Sequence, residues 1–139
     1  MIPDVHTYSM QISSERVNIA AVEAFVVSIP EAHRFTRERF HDMLLAVTEA
    51  VNNAIIHGNE CNASKTVDID VRAFETEFIV LIRDHGQGFD PDALPDPRHP
   101  DNLLREGGRG VFLIRNLADI VEIYPSNPGT TVLLKYFLP

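Results

Sequence analysis

The sequence predicts an α+β protein, a two-layer sandwich in which helices cover one face of a mixed, mostly antiparallel sheet. Three observations lead to this class. Segments with the two-residue period of strands lie on both sides of segments with helical spacing. The later strands come in adjacent pairs that suit antiparallel hairpins, with helices between the pairs. The chain of 139 residues is 45% apolar, enough for one domain, 1–139, with its own hydrophobic core.

The first elements follow from periodicity and from the residues that start and stop helices. Tyr8, Met10 and Ile12 alternate with polar residues and predict a half-buried strand. A helix is expected next, with Ser13 or Ser14 as its N-cap, and it ends at Pro30 because proline cannot continue it.

A second, longer helix is predicted to begin after Thr36, a good N-cap residue. Its apolar stripe comprises Phe40, Met43, Leu44, Val47, Val51, Ala54 and Ile55. Gly58 is expected to end the helix in the left-handed conformation that glycine tolerates.

The second half of the chain predicts four strands, one short helix and one long irregular segment. Residues 67–72 alternate and residues 78–82 are uniformly apolar, which predicts a hairpin whose second strand is covered on both faces. Residues 89–110 contain four prolines and five acidic residues, as in a lid, a binding loop or disorder. A helix near 111–118 and strands at 120–124 and 130–138 complete the fold.

Composition excludes several classes of function. The formal net charge of −8 argues against non-specific binding to nucleic acid or to anionic membranes. A single cysteine, Cys61, excludes an internal disulfide framework and a cysteine-rich zinc site. No apolar run approaches the roughly 20 residues of a membrane span, and the N-terminal residues have no signal-peptide pattern. The expected location is cytoplasmic.

One polar face of the long helix carries candidate chemistry. Glu49, Asn53 and Ile56 have the spacing i, i+4, i+7 and therefore line up. The Asn53 amide oxygen suits Mg²⁺, which prefers oxygen ligands and takes others from phosphate or water. The Glu49 carboxylate, one turn earlier, can act as a general base. The alternative is an ordinary solvated helix face.

Five of the seven glycines lie between Gly86 and Gly110, in two clusters. Asp84-His-Gly86-Gln-Gly88 follows the apolar strand, where a carboxylate can accept a ligand hydrogen bond and glycine allows close approach. Gly107-Gly108-Arg109-Gly110 precedes a helix, whose N-terminus favours anions. A plain turn and a flexible junction are the respective alternatives. The Gly129-Thr130 pair by itself indicates only a turn.

In this order the motifs resemble those of the GHKL ATPase superfamily, which includes gyrase and histidine kinases. The segment 49–58 is similar to its N box, 84–88 to its G1 box, 108–110 to its G2 box and 129–130 to its closing Gly-Thr element. The phrases 48–58 and 108–115 are most similar to the small anti-sigma-factor serine kinases. The resemblance covers about residues 6–138 and implies the Bergerat, or histidine-kinase-like, fold.

The resemblance implies a bacterial protein that binds ATP and Mg²⁺, with roles for particular residues. Glu49 would be the catalytic base, Asn53 would hold the magnesium and Asp84 would pair with the adenine amino group, backed by Thr130. Gly86 and Gly88 would floor the adenine pocket, and Gly108 and Gly110 would form the hinge of an ATP lid over 89–110. Arg109 is a candidate phosphate contact, and Arg105 is the other candidate lid cation.

The implied function is that of an anti-sigma factor and protein serine/threonine kinase that phosphorylates a small antagonist with a STAS domain. The expected partners are that antagonist, a sigma factor and a second copy of the chain. The lid departs from the family pattern because it is rich in proline and aspartate, and Glu106-Gly107 stands where relatives often have a basic residue and Ser or Thr. A non-catalytic, nucleotide-gated protein-binding regulator is the alternative. A detached histidine-kinase module is disfavoured, because the residues before Glu49 already form part of the domain.

Overall fold

A computed structural model describes residues 4–86, 114–125 and 128–139. The described residues contain five strands and two α-helices: β1 (His6–Ser13), α1 (Ile19–Ser28), α2 (Arg37–Asn53), β2 (Thr66–Ala73), β3 (Glu77–Arg83), β4 (Ile120–Pro125) and β5 (Thr130–Phe137). Short 3-10 helices at Arg16–Asn18 and Pro30–Arg34 flank α1, and a π-helical turn, Ala54–Gly58, continues α2. Residues 114–117 are helical. No helix among the described residues is long and apolar enough to span a membrane.

The five strands form one sheet in the order β1-β2-β3-β5-β4. All four described pairings are antiparallel, so the predicted α+β class with a mostly antiparallel sheet is confirmed. The register keeps apolar residues on one face: Val71 is paired with Val80, and Val80 with Leu134. Because paired residues in antiparallel strands point to the same face, a continuous apolar layer spans the central strands.

The helices cover that apolar face and close a single core. Met43, Val47 and Val51 on α2 are fully buried, as are Val22 and Val26 on α1. The core also contains an aromatic cluster in which the ring of Phe35 meets those of Phe78 and Tyr136 edge-on, at centroid distances of 5.3 and 5.7 Å.

The starts of the two helices differ in how well the sequence predicted them. Thr36 caps α2 as expected, since its Oγ1 accepts a hydrogen bond from the Arg39 N–H at 3.2 Å. Neither candidate serine caps α1, which begins later, after the 3-10 turn. Ser14 is instead buried and donates its hydroxyl to the carbonyl of Lys65 at 2.7 Å, so long-range packing overrides its local capping preference.

The end of α2 also differs from the prediction. Gly58 does not take the left-handed conformation; Glu60 and Cys61 do, with φ of 53° and 57°. The α-helix continues as the wider π-helical turn Ala54–Gly58 before the chain leaves it. Such π turns occur often at functional sites. Gly58 is required for another reason, which lies in the site itself.

Candidate functional site

Asp84 lies directly after β3, beside the first residue of β5. The Asp84 N–H donates to the Thr130 carbonyl at 3.0 Å, and the Thr130 N–H donates to Asp84 Oδ1 at 3.2 Å. The antiparallel register that pairs Arg83 with Thr131 produces this proximity. The structure therefore brings together two residues that the sequence placed in separate motifs.

The Asp84 carboxylate is buried, with 7% of its surface exposed, and its two oxygens have different environments. Oδ1 accepts hydrogen bonds from the main-chain N–H groups of Gly86, at 3.0 Å, and Thr130. Among the described residues no hydrogen bond engages Oδ2. Burial raises the pKa of Asp84 above its ordinary value, although the two N–H donors oppose that shift. Within the described residues, the hydrogen bonds that hold this carboxylate thus all fall on Oδ1.

Three glycines allow the main chain to close around Asp84. A Cβ on Gly58 would lie 2.8 Å from the Asp84 Cβ and closer still to its carboxyl group. A Cβ on Gly86 would lie 2.6 Å from the carbonyl carbon of Gly58, and one on Gly129 would lie 2.9 Å from that of Asp84. Gly129 also has a φ of 99°. Sequence reasoning gave Gly58 and Gly129 only local roles, although each stands in a motif of the family it resembles.

Gly58 connects the Asp84 pocket to the polar face of α2. Asn53 is the last residue of α2, five residues before Gly58, and Glu49 lies one turn earlier. At about 1.5 Å per residue, these positions follow one another at intervals of about 7 and 6 Å along the helix. The contact with Gly58 therefore places Asp84 beside the C-terminal end of the helix that carries Asn53 and Glu49.

The two helical side chains are half-buried rather than fully solvated. Within the described part of the chain, no hydrogen bond or ion pair engages the side chain of Glu49 or Asn53. An amide and a carboxylate with uncommitted oxygens fit the ligand chemistry of a phosphate-bound Mg²⁺ and of a general base, respectively. The adjacent core residues Ala50 and Val51 are buried and fix the orientation of this face.

The remaining predicted site residues lie outside the described residues. They are Gly88, Gly108, Arg109 and Gly110, together with the lid 89–110. Their roles stay predictions.

Comparison with known proteins identifies the family. The histidine kinase-like ATPase domain family matches residues 12–136. An anti-sigma F factor of Clostridium perfringens is 34% identical over 120 residues, covering 83% of this chain and 81% of the relative. The serine-protein kinase RsbW of Oceanobacillus iheyensis is 37% identical over 108 residues, covering 73% and 68%. That of Bacillus velezensis is 28% identical over 144 residues, covering 99% and 89%.

The family match spans most of the chain, from the last residues of β1 to within one residue of the end of β5. The matched residues 12–136 include Glu49, Asn53, Asp84 and Thr130. The chain therefore belongs to the histidine kinase-like ATPase family, in its group of anti-sigma factors and ATP-dependent protein serine kinases.

Proposed function

We propose that this protein is an ATP- and Mg²⁺-dependent kinase that phosphorylates a serine of a small STAS-type antagonist, and that it regulates a sigma factor by binding it. The observation that carries the proposal is the buried Asp84 carboxylate beside the end of the helix that bears Glu49 and Asn53. Two main-chain N–H groups hold its Oδ1, and among the described residues no hydrogen bond engages Oδ2. The similarity to an anti-sigma F factor and to a serine-protein kinase supports the same activity.

Asp84 recognises the adenine base in this proposal. An ionised carboxylate only accepts hydrogen bonds, so Oδ2 selects a donor such as the exocyclic amino group of adenine. A guanine presents a carbonyl at that position and would face the carboxylate with a second acceptor. Gly86 and Gly88 form the floor of the base pocket, and Thr130 supports it from β5.

Asn53 holds the magnesium ion through its amide oxygen. When bound, the ion neutralises charge on the ATP phosphates and orients them, which is most of what phosphoryl transfer needs. The chain itself has a net charge of −8, so a local cation is required wherever a polyphosphate binds. Gly108, Arg109 and Gly110 complete the phosphate contacts at the end of the lid 89–110.

Glu49 is the proposed general base. Its carboxylate accepts the proton of the substrate serine hydroxyl as the serine oxygen forms a bond to the γ-phosphorus. The bond between that phosphorus and the β,γ-bridging oxygen breaks, and ADP leaves with the bonding electrons. The described residues place no hydrogen bond or ion pair on the Glu49 side chain, which supports this role.

The proposal places the protein in the bacterial cytoplasm, as a single domain of residues 1–139 that acts as a homodimer. Its partners are the antagonist and the sigma factor, with no direct contact to nucleic acid or membrane. The formal net charge of −8 agrees with protein partners rather than polyanionic ones.

The test is a phosphorylation assay with ATP, Mg²⁺ and the STAS-domain proteins of the same genome, read by mass spectrometry. We expect phosphoserine on one of them with the wild-type chain, and a loss of at least 100-fold in rate with Glu49→Gln. Glu23→Gln is the matched control, because Glu23 is exposed on α1 and distant in sequence from the site.

The outcomes separate the kinase from the non-catalytic alternative. Phosphoserine that is absent with every candidate, while ATP binds normally, would overturn kinase activity toward these proteins. If Glu49→Gln also leaves control of the sigma factor intact, the protein is the nucleotide-gated regulator, whose partner surface depends on bound ATP rather than on transfer.

A further inference from the structure

We propose that Asn59 is a positioning residue of the nucleotide site. It fixes the main chain of the Asp84–Gly86 turn, and thereby the direction in which the Asp84 carboxylate faces the base. This inference rests on the proposed role of Asp84 as the acceptor for adenine. Asn59 itself touches neither the nucleotide nor the reacting atoms.

Asn59 is a buried amide, 1% exposed, whose hydrogen-bonding groups are all used. Its Oδ1 accepts the main-chain N–H of His85 at 2.8 Å. Its Nδ2 donates to Ser14 Oγ at 2.7 Å and to the Thr66 carbonyl at 2.9 Å. A flipped amide would place Nδ2 against the His85 N–H, donor against donor, so only one orientation satisfies the network.

The groups that hold Asn59 lie at the ends of strands β1 and β2. Thr66 begins β2, and Ser14 follows β1 and donates onward to the carbonyl of Lys65 at 2.7 Å. The Asn59 N–H donates to the carbonyl of Ala54 at 2.8 Å, which ties the residue to the π-helical turn. Asn59 therefore transmits the position of the sheet edge and of α2 to the Asp84–Gly86 turn.

The orientation of the His85 main chain determines whether the neighbouring Gly86 N–H can donate to the Asp84 carboxylate. His85 lies between Asp84 and Gly86, and the Gly86 N–H is one of the two donors that hold Asp84 Oδ1. A rotation of the His85 main chain would carry the Gly86 N–H away from Oδ1. The other donor, the Thr130 N–H, is fixed by β5, so Asn59 secures the side of the pocket that the sheet does not.

A second anchor of the same turn provides the competing explanation. The His85 imidazole contacts Asp68 Oδ2 at 2.8 Å, and the two side chains are 31% and 27% exposed. Such a partly exposed pair contributes little because water competes for both groups, whereas the Asn59 side chain that accepts the His85 N–H is 1% exposed. His85→Ala therefore separates the two anchors.

The experiment is calorimetric titration of the full-length protein with ATP in the presence of Mg²⁺, repeated with GTP. Asn59→Leu removes all three side-chain hydrogen bonds at similar volume. We expect its ATP dissociation constant to rise about tenfold, with unchanged stoichiometry and reduced preference for ATP over GTP, because the binding-competent turn becomes a minor conformation. Ser14→Ala is the matched control, since it disturbs the same network but leaves the His85 bond in place; its dissociation constant should change less than twofold.

If Asn59 only stabilises the fold, titration of Asn59→Leu gives a different result. The stoichiometry of ATP binding then falls with the folded fraction, while the folded molecules keep the wild-type dissociation constant and the wild-type preference for ATP over GTP. That result overturns the proposal, as does an equal loss of affinity in His85→Ala or Ser14→Ala. If Asn59→Leu does not fold, Asn59→Ser is measured instead, because its shorter side chain cannot reach His85 but leaves a smaller packing defect.

Asp84→Asn is titrated beside these variants to separate the two levels of inference. If Asp84→Asn binds ATP as the wild type does, the proposed base recognition fails. If Asp84→Asn loses affinity and Asn59→Leu does not, only the positioning role fails.

Discussion

At the scale of single residues, Asp84 shows how a buried carboxylate is prepared to accept one further hydrogen bond. Burial raises its pKa, and two main-chain donors on Oδ1 limit that rise. The unfolded chain has neither effect, so the folded protein binds the Asp84 proton more tightly. The stability that this residue contributes is therefore highest at low pH, and it falls as the pH rises from the ordinary aspartate range through the raised pKa.

Asp84→Asn is expected to separate stability from binding. The asparagine can keep an oxygen at the position of Oδ1 for the two N–H donors, and it removes the buried charge. At pH 7 the free variant should be at least as stable as the wild type in urea unfolding, while ATP affinity falls at least tenfold. A variant that loses stability but retains ATP affinity would contradict this assignment.

The pH dependence of ATP binding provides a second check on the same residue. The ionised Asp84 carboxylate can accept a hydrogen bond from the adenine amino group through either oxygen, whereas protonation converts one oxygen into a donor. ATP affinity should therefore fall on acidification. The midpoint of this fall should lie above the ordinary aspartate pKa, because burial raises the pKa of Asp84. In Asp84→Asn that phase of the profile should be absent. Titration at several pH values in one buffer series at constant ionic strength makes the comparison.

Gly58→Ala should damage the pocket although alanine suits helices better than glycine. The added methyl would lie 2.8 Å from the Asp84 Cβ and nearer to its carboxyl group, so the helix end or the aspartate must move. We expect a loss of about 1–3 kcal/mol in unfolding free energy, as for other overpacked sites, and at least tenfold weaker ATP binding. If Gly58→Ala changes neither stability nor ATP affinity, the main chain at Gly58 and the Asp84 side chain are not in such close contact.

At the scale of elements, Arg39 joins α2 to the segment that follows residues 114–117. Its Nη2 contacts Asp119 Oδ2 at 2.9 Å, its Nη1 donates to the Leu117 carbonyl at 3.4 Å, and its guanidinium lies 5.4 Å from the centroid of the Tyr136 ring. The Asp119 Oδ2 also accepts the Phe137 N–H at 2.9 Å. One side chain thus links a helix, a turn and the last strand.

Arg39→Ala should lower the free energy of unfolding by about 1–2 kcal/mol, since it removes a partly exposed ion pair and a cation–π contact together. Arg37→Ala is the matched control: it removes the same charge from the same helical turn at an exposed position, and it should change stability by no more than about 0.5 kcal/mol. Equal effects of the two substitutions in urea unfolding would show that net charge, rather than these contacts, is responsible.

The elements also show what sequence can predict here. Strand periodicity and the Thr36 cap depend on neighbours within a few residues, so local reasoning found them. The burial of Ser14 and the closeness of Gly58 to Asp84 depend on partners that are distant in sequence. For the site, the motifs predicted that Asp84 and Thr130 act together, but nothing in their spacing indicated the Asn59 network that connects them to the fold.

At the scale of the whole molecule, the arrangement has to bind a polyanion with a chain of net charge −8. Long-range repulsion between the protein and ATP is screened over about 8 Å at physiological ionic strength, so the local charges at the site decide affinity. In the proposed site Asn53 is neutral and Glu49 is acidic, which leaves the magnesium ion as a principal source of positive charge beside the phosphates.

Thermal unfolding with and without magnesium tests this balance. A ligand at a hundredfold excess over its dissociation constant stabilises the folded state by about 2.7 kcal/mol, which for a chain of this size raises the unfolding midpoint by roughly 10 °C. We expect ATP with Mg²⁺ to produce a shift of this order, and ATP with EDTA to produce less than half of it. Asn53→Ala should make the two shifts nearly equal, because the magnesium can no longer be held by the protein. In Asn52→Ala, which removes the neighbouring amide, the difference between the two conditions should persist; its loss there as well would assign the magnesium effect to the helix end in general rather than to Asn53.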